Sequence, residues 1–214
     1  MHKSVPNQLT VGRLGLAASV FILLGLYDLP PAEAAWMLNV GFAAFIVAGI
    51  TDILDGCLAR KFYATSAFGR IFDTFVDKVL ILGAYIMLTG GNFVMNDSAS
   101  GFERELPVWL TGGMASGVQT WMVVAMLVRE LAVSGLRGFS ESQGKVFTAT
   151  VWGKLKMLTQ VVAICTVMYQ LANVPDAAWA VVVKLATVWT SVIVTVLTGV
   201  PYIGRARRLI AEAE

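Results

Sequence analysis

The chain is poor in charge. Only 14% of its 214 residues are Asp, Glu, Lys or Arg, while 57% are hydrophobic. A soluble domain carries about a quarter charged residues, so the composition excludes an ordinary water-solvated globule and points to a membrane protein. Histidine is reduced to His2, which excludes histidine-based catalysis and His-rich metal centres. The two cysteines, Cys57 and Cys165, fit no metal-ligand spacing and fall in apolar segments, where they read as packing residues. A net charge of +2 is too small to argue for a nucleic-acid partner. The chemistry is left to Asp, Glu, Lys and Arg.

What is present is apolar length. A bilayer-crossing helix needs about 20 mostly apolar residues flanked by charge, Pro or Gly. Segments 9–28, 35–60, 68–91, 117–138, 150–172 and 178–203 meet this pattern. The first stops before Pro30-Pro31. It does not read as a cleavable signal peptide, because its charged start is weak and five further spans follow. Residues 92–116 form a longer connection, and no soluble domain, repeat or low-complexity tract interrupts the chain, so 1–214 reads as one membrane domain. The expected fold is an all-α integral membrane protein with six transmembrane helices.

Six spans bring both termini to one side. All sixteen basic residues except Arg104 and Lys184 fall on that side. The positive-inside rule then places both termini in the cytoplasm of a cytoplasmic (inner) membrane. The opening MHKSVPNQLTVGR, where Arg13 breaks the apolar run, reads either as a short interfacial arm before the first span or as a plain polar lead-in.

Charge inside a span costs roughly 2.5–3.5 kcal/mol on insertion scales and usually marks function. Asp52, Asp55, Asp73 and Asp77 cluster near the cytoplasmic ends of spans two and three. Spacings of three and four residues put each pair on one helix face, and a helical hairpin brings the pairs to similar depth. Four such carboxylates repel unless cations lie among them, and hard oxygen donors suit Mg²⁺ or Mn²⁺. The alternative is helix-end aspartates paired with Arg60, Arg70 and Lys78. Gly56 leaves a notch where a ligand approaches the backbone, and Arg60, one turn on, has the fork to hold a phosphate. Carboxylates, a notch and an arginine together suggest a pyrophosphate-bearing substrate. Gly69 fits a helix-packing role better.

The run Asp52-Ile-Leu-Asp55-Gly56-Cys-Leu-Ala59-Arg60, followed after eight residues by Gly69-Arg-Ile-Phe-Asp73-Thr-Phe-Val-Asp77, resembles the complete signature of the CDP-alcohol phosphatidyltransferases. The resemblance implies a six-helix membrane fold, usually a homodimer, with an active site open to the cytoplasmic interface. It further implies two divalent cations bridged by Asp52 and Asp73, with Asp55 on one and Asp77 on the other. Asp77 is also the implied general base. Gly56, Arg60, Ser66, Pro6 and Asn7 are the implied contacts to the CDP-lipid.

Three other stretches resemble the phosphatidylglycerophosphate synthase branch. They are Pro6-Asn-Gln-Leu-Thr10-Val-Gly-Arg13, Arg129-Glu-Leu-Ala-Val-Ser-Gly-Leu-Arg137 and Gly153-Lys-Leu-Lys156-Met-Leu-Thr-Gln160. Met157 departs from that branch, which often has Thr there. Arg129, Arg137, Lys154 and Lys156 gather at the cytoplasmic ends of spans four and five, where they suit an acceptor that carries its own phosphate. Anchoring to anionic headgroups is the alternative for each, and Glu130 is placed to orient one of them. The expected reaction joins CDP-diacylglycerol to sn-glycerol 3-phosphate, giving phosphatidylglycerophosphate and CMP. Inositol phosphate and phosphatidylglycerol are the rival acceptors within the family. A cation transporter is the rival of another class, but it has no use for Gly56 and Arg60 at their spacing.

Overall fold

The computed structural model describes residues 5–27, 34–62, 67–95, 105–142 and 151–202, with side chains for 10–27, 34–51, 75–95, 105–140 and 152–202. The long helices are α1 (Val5–Leu26), α2 (Ala35–Phe62), α3 (Ala67–Met87), α5 (Thr120–Ser142), α6 (Val151–Asn173) and α7 (Ala178–Leu197). A short α4 (Val108–Thr111) and a 3₁₀ turn (Gly91–Phe93) lie between α3 and α5. Among the described residues there is no strand, only an isolated Val94–Met114 bridge. The chain is an all-helical membrane protein. Among the described residues, Trp152–Asn173 and Ala178–Tyr202 are long and apolar enough to cross a bilayer by themselves. Charge midway along α3 (Asp77 and Lys78) and α5 (Arg129 and Glu130) interrupts the apolar runs of those helices.

The six long helices match the six expected segments, with one difference at the start. Val5–Leu26 is one uninterrupted helix, not an arm followed by a span. Pro6 lies in its first turn, where a missing N–H is not needed. Arg13 does not break it because a carboxylate on α3 neutralises the guanidinium.

Helix α1 packs on α2 and α3, α6 on α2 and α7, and α5 on α7 and α3. Their buried stripes supply the core: Val20, Leu24, Leu38, Phe45, Leu80, Leu88, Met122, Met126, Ile164 and Val167 are all 5% exposed or less. Cys165 packs against this core, as expected; the side chain of Cys57 lies outside the described residues. Hydroxyls and amides cross-link helices in an apolar setting. Tyr85 Oη pairs with Ser191 Oγ at 2.8 Å, Gln160 Nε2 donates to Thr195 Oγ1 at 3.2 Å, and Thr166 pairs with Thr187 at 2.7 Å.

One end of the bundle is closed by the connection between α3 and α5. Terminal helix carbonyls need donors, and away from water that need is absolute. Asn92 Nδ2 donates to Leu24 O and Tyr27 O, both at 2.7 Å, and Ser116 Oγ donates to Leu88 O at 2.6 Å. Lys184 Nζ, on α7, donates to Ala115 O at 2.6 Å. Gly117 is required here: its φ is +68°, and a Cβ would lie 2.6 Å from Leu185 Cδ2. Asn39 and Asn173 exchange hydrogen bonds at the same end. Exposed Trp36, Trp109, Trp121 and Trp179 surround it, the placement of tryptophan at a membrane–water boundary.

Candidate active site

The opposite end carries the charge. On α1 the buried stripe runs Thr10, Arg13, Ala17, Val20, Leu24, each 3% exposed or less and spaced three or four apart. Arg13 thus occupies a core-facing position. On α3 the inward stripe of Leu80, Ile81, Ala84 and Leu88 begins one turn earlier at Asp77. The two stripes meet where Arg13 Nη1 donates to Asp77 Oδ1 at 2.7 Å. Arg13 is sealed, whereas Asp77 keeps 29% of its side chain exposed. Both border a narrow crevice of about 20 Å³, whose other walls are Phe45, Ala48, Gly49, Leu80, Ile81, Met157 and Val161. A carboxylate at the edge of a mostly apolar crevice has the surroundings of a reacting group.

A second polar cluster joins α3, α5, α6 and α7. Glu130, 6% exposed, accepts from Arg129 Nη1 at 3.0 Å and from Lys156 Nζ. Arg129 also donates to Thr198 Oγ1 at 3.2 Å and lies over the Tyr202 ring. Lys78 Nζ donates to Ser134 Oγ, which donates to Glu130 O at 2.6 Å. Glu130, Ser134 and Arg137 recur every three or four residues on α5 and share a face. The Arg137 Nε is buried, with no hydrogen-bond partner among the described residues. Lys154 stands apart on an exposed face of α6. Of the four basic residues expected to bind an acceptor phosphate, Arg129 and Lys156 therefore share one carboxylate, Arg137 continues the same stripe, and Lys154 faces outward.

Asp77 is the one member of the aspartate set whose side chain is described. Asp52, Asp55, Gly56 and Arg60 lie on α2 and Asp73 on α3, so the helical spacing is as expected, but their side chains lie outside the described residues. So do the side chains of Pro6 and Asn7, on the first turn of α1, and the whole of Ser66. Carboxylates three and four residues apart on helices are the donor type that hard divalent cations take. Sequence reasoning missed Arg13 as the partner of Asp77, Ser134 as that of Lys78, and Thr198 and Tyr202 as those of Arg129. For Arg13 a signal existed, since an arginine within an apolar span demands a counter-charge, but nothing in the sequence said which.

The chain is similar over most of its length to curated proteins. It is 28% identical to the CDP-diacylglycerol–glycerol-3-phosphate 3-phosphatidyltransferase of Bacillus subtilis, over 94% of each chain. It is 26% identical to the protein of that name from Haemophilus influenzae, over 90% of this chain and 91% of the relative. A Mycobacterium tuberculosis protein named "Probable phosphatidylglycerophosphate synthase" is 35% identical over 96% of this chain and 82% of its own. The family model for CDP-alcohol phosphatidyltransferase matches residues 3–197. That match spans all the long helices, Arg13 and Asp77, and the second cluster short of Thr198 and Tyr202, and the chain belongs to the CDP-alcohol phosphatidyltransferase family.

Proposed function

We propose that this protein transfers the phosphatidyl group of CDP-diacylglycerol to sn-glycerol 3-phosphate, releasing CMP, in phospholipid biosynthesis. The observation that carries the reading is the joint placement of the part-exposed Asp77 carboxylate and, on the next residue of α3, Lys78 tied into the cationic cluster of α5 and α6. This supports a base and a phosphate-binding surface at one end of the bundle. Relatives named for this reaction over nearly the full chain support the choice of acceptor.

In this reading Asp77 takes the proton of the acceptor's primary hydroxyl as its oxygen bonds to the lipid-side phosphorus. The bond from that phosphorus to the CMP oxygen breaks, and CMP leaves. A carboxylate is a weak base for an alcohol, so the proton leaves late, which a loose phosphoryl transition state permits. Gly56, Arg60, Ser66, Pro6 and Asn7 hold the CDP group. Asp52, Asp55, Asp73 and Asp77 would hold two Mg²⁺ or Mn²⁺ ions, whose chemistry is to neutralise the pyrophosphate and the leaving CMP. Arg137, Lys156, Arg129 and Lys154 take the acceptor phosphate, Arg137 with the buried donor noted above. The acyl chains remain in the bilayer.

The reading extends to a six-span homodimer in the cytoplasmic membrane, with both termini and the active site facing the cytoplasm. The segregation of the basic residues, all but Arg104 and Lys184, to one end supports it. The experiment is an acceptor panel with purified protein and CDP-diacylglycerol, scored by CMP release. Glycerol 3-phosphate should be preferred over glycerol, serine, inositol phosphate and phosphatidylglycerol. Preference for any of these would overturn the acceptor assignment.

A further inference from the structure

We propose that Arg13 is a positioning residue for Asp77, fixing the carboxylate at the wall of the crevice for the proton transfer; this rests on the functional reading above. Arg13 interrupts an otherwise small or apolar stripe and is 1% exposed. Packing alone would be served by an aliphatic residue there, and a buried charge is tolerated only when paired. Among the described residues it meets a carboxylate 64 positions away on another helix, at 2.7 Å through Nη1.

The location separates positioning from simple cross-linking of α1 to α3. A structural ion pair belongs in the packed interior, away from substrate. This pair instead lies beside a narrow crevice, with the guanidinium sealed and the carboxylate part-exposed. Arg13 cannot be readily reached by a ligand, but it holds the group that can be. A fixed Oδ1 sets the rotation of the carboxylate, and with it the direction from which a hydroxyl must approach. Misplacement of a reacting group by about 1 Å can cost roughly 100-fold in rate. The planar guanidinium, anchored on a helix, supplies that restraint.

The test uses the full chain in lipid nanodiscs, with Arg13→Met, Arg13→Lys, Asp77→Asn and the Arg13→Met/Asp77→Asn double variant. Arg13→Met should lower kcat by roughly 10- to 100-fold, leaving the KM of both substrates within about threefold. Arg13→Lys, which keeps one charged donor, should recover much of the loss. In the Asp77→Asn background, Arg13→Met should change the residual turnover by less than about twofold, because the two residues act as a unit. An equal loss in both backgrounds, or a raised KM with unchanged kcat, would overturn the inference. Thermal stabilisation by CDP-diacylglycerol gives a second readout and should survive in Arg13→Met; its loss would make Arg13 a requirement for assembling the site and sink the positioning role. If wild-type protein releases no CMP with glycerol 3-phosphate, the functional reading fails on its own. The Arg13–Asp77 coupling is then read from unfolding temperatures alone. Arg13→Met should unfold lower than wild type and the double variant should regain part of that loss, whereas additive losses would refute the coupling.

Discussion

Arg129 and Glu130 are adjacent in sequence, yet they close an ion pair at 3.0 Å, and the same carboxylate oxygen also accepts from Lys156 of the next helix. All three side chains are 12% exposed or less. Glu130 thus holds two cations, whereas each cation loses only one partner if its opposite number is removed. Glu130→Ala leaves two buried cations facing each other and should destabilise by about 3–5 kcal/mol, the cost of breaking a buried pair. Lys156→Met, which leaves Glu130 paired with Arg129, should cost clearly less. Thermal unfolding in detergent orders the two variants, and the reverse order would remove Glu130 from the centre of the cluster.

Arg137 is expected to hold the acceptor phosphate. A charge-assisted contact contributes about 1.5–3 kcal/mol, so Arg137→Ala should raise the glycerol 3-phosphate KM roughly 10- to 150-fold if KM tracks binding. The KM for CDP-diacylglycerol should hardly move. Arg137→Lys should recover part, lacking the fork. Lys154→Ala should have the smaller effect, since Lys154 is exposed. An unchanged acceptor KM in both alanine variants would make these residues headgroup anchors.

Asp77→Asn should lose two orders of magnitude or more in turnover, the size of a lost general base. CDP-lipid binding, followed by thermal stabilisation, should persist. Near-normal turnover would reassign Asp77 to structure.

Chelation of divalent ions should abolish CMP release, and added Mg²⁺ or Mn²⁺ should restore it. The Asp52→Asn variant should need more metal for half-maximal activity. Full activity in excess chelator would exclude the two-ion reading.

Asn92 should matter for stability and not for chemistry. Its amide, in the 3₁₀ turn that follows α3, caps the end of α1 through two carbonyls, away from Asp77. Asn92→Ala orphans both acceptors, at about 1–3 kcal/mol each, and should lower the unfolding temperature while leaving the KM of both substrates unchanged. A change in kinetics without a change in stability would contradict this separation of ends.

What the sequence alone determined is local or compositional. Low charge and repeated apolar length specified helices in a membrane, because backbone donors and acceptors must be satisfied within each segment there. Spacings of three and four residues specified which aspartates share a face, because 3.6 residues make a turn. The signature spacing from Asp52 to Asp77 carried the family, and the crowding of basic residues marked one end. The tertiary structure decided what depends on which stripe meets which. Arg13 and Asp77 lie 64 positions apart and Glu130 and Lys156 lie 26 apart, and no periodicity within one helix encodes the partner across a helix–helix contact. For the same reason α1 runs unbroken through Arg13. In the sequence that arginine is a charge interrupting an apolar run, and only its pairing with a carboxylate on α3 makes its burial tolerable.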